Sequence, residues 1–169
     1  MRSHPPPGGL PASQQAFVLG ASFVRGALIL VLEILGTRVI SPYYGSSIYV
    51  WSSLITVTLA SLTLGYWLGG MAADRWPSLV CFSVALLAGG LFTLAIPALR
   101  AAVLLLSTPL GLRLGSLASA TLLFVLPLVA LSMTGPVAIR LVTSEFTVLG
   151  RGVGKIYGVS TLGSMLGAV

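Results

Sequence analysis

Long apolar runs broken by very few charges decide what this chain can fold into. The runs recur along 169 residues, and several reach the ~18-residue length that marks a membrane-crossing helix. Only 7% of the residues are charged, against about 25% in soluble domains. A water-soluble fold of this size would lack the charge to cover itself. The period-two alternation of a membrane β-barrel is absent. The fold class is therefore all-α, a polytopic transmembrane helical bundle embedded in the lipid bilayer.

Residues 1–15 are rich in Pro and Gly and read as a disordered tail, leaving 16–169 as the transmembrane domain. The apolar pattern predicts full spans over residues 16–40, 48–72, 78–99, 114–133 and 153–169. Pro42 is expected to stop the first of these, with Gly45 supplying a turn. Residues 100–112 are apolar but interrupted by Pro109 and Gly111, and read as a short or partly inserted helix. Five spans result, or six if that segment crosses. Thr134-Gly135-Pro136 is expected to lead into an interfacial helix and a loop. Five spans make a half-transporter-like unit, because secondary transporters use two repeats. The last helix ends at Val169 with no flanking charge, which reads as a truncation or as a helix finished by a partner.

The nine Lys and Arg residues are scattered singly, which gives no nucleic-acid signal. Arg2, Arg75, Arg140, Arg151 and Lys155 fall on one side of the expected topology, and Arg38, Arg100 and Arg113 on the other. The bias favours a cytoplasmic N-terminus in a cell's inner (plasma) membrane. His4 is the only histidine and Cys81 the only cysteine, so no metal centre and no cofactor are expected.

Three acidic residues occur, and two of them, Glu33 and Asp74, bracket one stretch of apolar sequence. Arg25 and Glu33 lie at depths where a charge costs about 2.5–3.5 kcal/mol on insertion scales. Roughly 12 Å of helix separates them, so each needs its own partner. Glu33 either binds a cation or carries a proton, or it locks the bundle by pairing with Arg140 or another helix's Arg. Arg38 partners Glu33 or a lipid phosphate. Tyr43, Tyr44, Tyr49 and Trp51 form either an aromatic box for an ammonium group or an interfacial belt. Asp74, Arg75 and Arg140 read as a conformational latch. Tyr157 is a candidate lining hydroxyl, and Gly65, Gly69, Gly163 and Gly167 are small-residue packing positions.

The blocks Glu33-x-x-x-x-Arg38, Pro42-x-x-Gly45-x-Ser47-x-x-x-Trp51 and Gly65-x-x-x-Gly69-Gly70-x-x-Ala73-Asp74-Arg75 resemble the membrane portion of multispanning spermidine synthase-like proteins. Gly135-Pro136-x-x-x-Arg140 and Gly154-Lys155-Ile156-Tyr157-x-x-Ser160-x-x-Gly163-Ser164-x-x-Gly167 continue the resemblance, which covers about residues 22–169. Ser160 stands where that family often has Asn, a departure that weakens a polar role there. Residues 70–75 also resemble the loop between helices two and three of major facilitator transporters. The resemblance implies a transporter-like bundle without the catalytic domain, and no aminopropyl transfer by this chain alone. It implies transport or binding of a cationic or amphipathic small molecule, such as a polyamine. A homo-oligomer, a partner membrane subunit or a separately encoded aminopropyltransferase would complete it. The alternative is a non-catalytic accessory subunit of a larger membrane complex.

Overall fold

The computed structural model describes residues 10–143 and 149–169, all in helices and short connections. The first helix, α1 (Ala12–Tyr44), begins directly after Pro11. It therefore includes residues 12–15, which the sequence reading placed in the tail; residues 1–9 lie outside the described residues. Pro42 does not stop α1. It sits in the last turn, and the helix ends at Gly45, whose φ of 75° is cheap only for a residue without Cβ. The Gly45 N–H donates to the Ser41 carbonyl at 2.8 Å and closes the end.

Helix α2 (Ile48–Arg75) follows after three residues. Helix α3 (Leu79–Ser107) opens on Ser78, whose hydroxyl accepts the Cys81 N–H at 3.1 Å. Residues 100–107 are its continuation rather than a separate segment, so the expectation of a sixth crossing there falls. The break lies where Pro109 and Gly111 predict it. A single 3₁₀ turn (Thr108–Leu110) and Gly111 at φ 77° reverse the chain. Helix α4 (Gly111–Val142) then runs back through Pro127 and Pro136. Thr134-Gly135-Pro136 is thus mid-helix, because in apolar surroundings neighbouring helices and hydroxyls can satisfy what a proline frees. Helix α5 (Leu149–Gly167) closes the order.

Three helical stretches among the described residues are long and apolar enough to cross a membrane: Ala12–Tyr44, Ile48–Arg75 and Leu79–Val142. The third is doubled, since Gly89 of α3 faces Leu131 of α4 and Gly115 of α4 faces the Ser107 carbonyl. Helix α5 is not among them, because Arg151 and Lys155 in its first half, together with its Gly and Ser residues, lower its apolar character.

Helix α4 is the hub, packing on all four other helices. It runs antiparallel to α1, placing Tyr44 beside Gly115, Gly36 beside Phe124 and Arg25 beside Gly135. It runs parallel to α2, with Ser53 hydrogen-bonded to Ser116 at 3.1 Å and Gly69 against Met133. One core cluster joins Leu32, Ile40, Leu54, Phe124 and Leu131; a second joins Val18, Phe82, Ala138 and Ile156. The outside is as apolar as the inside: Leu94 and Leu106 are 77% and 78% exposed. That surface suits hydrocarbon rather than water.

Candidate functional site

The site grows from one side chain. Arg25 stands near the middle of α1, roughly 20 Å from its start and 28 Å from its end at 1.5 Å per residue. It is only 3% exposed. Its Nη2 donates to the Ser160 hydroxyl of α5 at 2.8 Å. Its Nε and Nη1 are buried and have no hydrogen-bond partner among the described residues. A buried charge is normally paired, because the penalty for leaving it bare is large. Here the direct partner is a neutral hydroxyl.

Local sequence explains how a guanidinium fits at this depth. Gly26 lets the Ser160 backbone of α5 approach α1 where any Cβ would collide. Gly163 does the same against the Phe23 carbonyl, and Gly167 against the Ala27 carbonyl. The Ser164 hydroxyl donates to the Gly26 carbonyl at 3.0 Å across the same seam. On the other side Gly135 of α4 leaves the space that Nη1 fills, at 2.6 Å from where a Cβ would stand. Tyr66 of α2 borders the same space, its ring edge 3.5 Å from where a Gly135 Cβ would stand, and Tyr157 of α5 lies one turn before Ser160. Both phenols are partly open, 37% and 47% exposed. Thus α1, α2, α4 and α5 converge on one cation, and α2 and α5 do not pack closely on each other there.

The residues singled out from sequence distribute differently. Glu33 is only partly buried on α1, and Arg140 is exposed. With Gly36 beside Phe124, Glu33 stands level with Pro127, leaving Arg140 roughly 20 Å further along α4. The Glu33–Arg140 lock does not form. Arg38 is exposed near the far end of α1.

The aromatic residues do not converge into a box either. Tyr44 points inward and its phenol oxygen accepts from the Ser119 hydroxyl at 3.4 Å. Tyr43 and Trp51 are 43% and 56% exposed. Tyr49 is already covered by the chain's own Arg113, 4.7 Å over the ring, with Nη2 donating to the phenol at 2.8 Å. Asp74, Arg75 and Arg140 lie at the same end of the bundle, all exposed, and Arg75 rests over the Trp76 ring at 5.2 Å. Gly65 and Gly69 face Ser132 and Met133 of α4.

Sequence reasoning expected a buried pair or a headgroup contact for Arg25 without naming the partner, and passed over Tyr66. It also discounted Ser160, which is the direct partner of Arg25. The available signal was that Arg25 is the single cation at mid-helix depth in α1, with a Gly-rich helix elsewhere that could close on it. Compared with known proteins, the chain matches no family model, no curated protein and no solved structure. No group of His, Cys, Asp and Glu among the described residues is arranged to hold a metal.

Proposed function

We propose that this chain is a transporter-like helical unit of a cell's inner (plasma) membrane that holds a small molecule within the bilayer. The observation that carries this reading is Arg25, a buried charge near the middle of α1 with two unpartnered donors where four helices meet. Ionisable groups at such depth mark ligand and ion pathways in membrane proteins. The blocks that resemble the spermidine synthase-like membrane domain support the same class. All five helices cross in this reading, with the N-terminus cytoplasmic. Its support is the gathering of Arg75, Arg140, Arg151 and Lys155 at one end of the bundle.

A cationic ligand was the expectation drawn from Glu33. A polyamine would have to bind on the partly exposed face of α1, away from the Arg25 junction, which repels it. Reconstitution into liposomes tests the reading directly. Uptake of a labelled anion or polyamine that is lost in Arg25→Gln or Glu33→Gln supports transport, and uptake equal to empty liposomes removes it.

A second reading, a non-catalytic accessory subunit, is favoured by α5. Its seam with α1 leaves Leu162, Met165 and Leu166 at 58–67% exposure. A second copy or a partner membrane protein, a separately encoded aminopropyltransferase included, would cover that face. Native mass spectrometry from the source membrane separates the two: a homodimer suits paired half-bundles, and a defined hetero-complex suits the subunit.

A further inference from the structure

We infer that Arg25 is the floor of an anion site, and that the group it takes is a carboxylate or phosphate held between α2 and α5. The inference rests on the reading of the bundle as a small-molecule binder and names the chemistry of that molecule.

Three observations converge on it. The guanidinium is nine-tenths buried or more, yet two of its three nitrogens have no partner among the described residues. The two forked edges of a guanidinium are Nε with Nη2 and Nη1 with Nη2; Ser160 takes one Nη2 hydrogen, so one edge keeps both donors for two oxygens of a carboxylate or phosphate. The carboxylates among the described residues do not supply them: Asp74 is exposed at the end of α2, and Glu33 is about two turns further along α1. The third acid, Glu145, lies outside the described residues.

The surroundings suit an incoming anion. Ser160 already orients the guanidinium through one hydrogen of Nη2, leaving the other to complete a forked edge for the ligand. Tyr66 and Tyr157 add two phenol donors on α2 and α5, and each is partly open to the outside. Gly135 removes the side chain that would otherwise fill the space against Nη1. In the described state Nε and Nη1 are shielded, so the ligand enters by parting α5 from α2, with the two tyrosines moving aside. These helices share no packed interface that must break.

Carboxylate and phosphate groups reach such a site from two sources, a free small anion or a lipid headgroup. The full chain is placed in nanodiscs of neutral phosphatidylcholine and its unfolding temperature followed against inorganic phosphate and acetate, with chloride at matched ionic strength. A parallel arm uses phosphatidylglycerol nanodiscs without added anion.

The expected result is a saturable rise in one arm that is absent in Arg25→Gln. It is weakened about tenfold in Arg25→Lys, which keeps the charge but loses the fork. A rise with phosphate or acetate in neutral lipid assigns a free anion, and a rise in the phosphatidylglycerol arm alone assigns a headgroup. Tyr66→Phe reads the site in a fold that retains Arg25 and weakens the shift. Equal behaviour of wild type, Arg25→Lys and Tyr66→Phe, or no saturable rise in any arm, overturns the proposal. So does a rise that appears only in Glu145→Gln, because that carboxylate would then be the resident counter-ion. Liposome flux judges transport separately: binding without flux keeps the anion site and removes transport, and flux without Arg25-dependent binding does the reverse.

Discussion

The Arg25 guanidinium and the Ser160 hydroxyl, 135 positions apart in sequence, are joined by a 2.8 Å hydrogen bond inside an apolar bundle. A neutral hydroxyl does not compensate a buried positive charge. The pair therefore orients Arg25 without neutralising it, and no carboxylate among the described residues hydrogen-bonds the charge.

The cost of the uncompensated charge is measurable. In neutral lipid without added anion, Arg25→Met is expected to raise stability by about 1–3 kcal/mol, the usual cost of an unsatisfied buried polar group. Equilibrium unfolding by added SDS reads it. A loss of similar size would instead make Arg25 a structural tie between α1 and α5.

Close helix approach gives a paired prediction on α2. A Cβ at Gly69 would meet the Met133 backbone of α4, whereas one at Gly70 meets nothing within 4 Å. Gly69→Ala should cost about 1–3 kcal/mol through forced separation. Gly70→Ala should be neutral or stabilising by up to about 1 kcal/mol. The same unfolding assay compares them, and equal effects would refute the α2–α4 contact.

The α1–α5 seam predicts a change in access. Gly163→Leu should drive α5 off the Phe23 carbonyl, while Gly158→Leu, with nothing within 4 Å, should not. In a Cys81→Ala background, alkylation of Ser160→Cys should quicken severalfold with the first substitution and stay slow with the second.

At the far end, Tyr49 and Arg113 form an exposed pair whose removal should matter little. Tyr49→Phe keeps the ring under the guanidinium and loses only the phenol hydrogen bond. Tyr49→Ala should cost about 0.5–1 kcal/mol, and Tyr49→Phe less. A larger loss on unfolding would show that this contact holds α2 to α4.

Apolar length made the helices legible, because hydrocarbon admits little else. The turn at Pro109 and Gly111 was legible too, since both punctuate the chain and Gly111 takes a positive φ. Pro42 and Pro136 misled, because rules learned from helices in water treat every proline as a stop. Glu33 drew attention through the rarity of acids, yet its depth along α1 says nothing of its direction, and the helix turns it partly outward. Arg25 and Ser160 could not be paired from sequence, for no local pattern reports a contact between the first helix and the last. The glycines along that contact, Gly26, Gly163 and Gly167, are a faint trace of it, because glycine is common in membrane helices.

The parallel pairing of α1 with α5 also sets an order of assembly. A ribosome adds about 5–20 residues each second, so Ser160 emerges roughly ten seconds after Arg25 has been made. Through that interval α1 carries a bare cation with nothing to orient it, and is a reluctant guest in the bilayer. Helix α5, synthesised long after α1, thus completes it, and a chain whose translation stalls before α5 would present quality-control proteases with an unfinished α1.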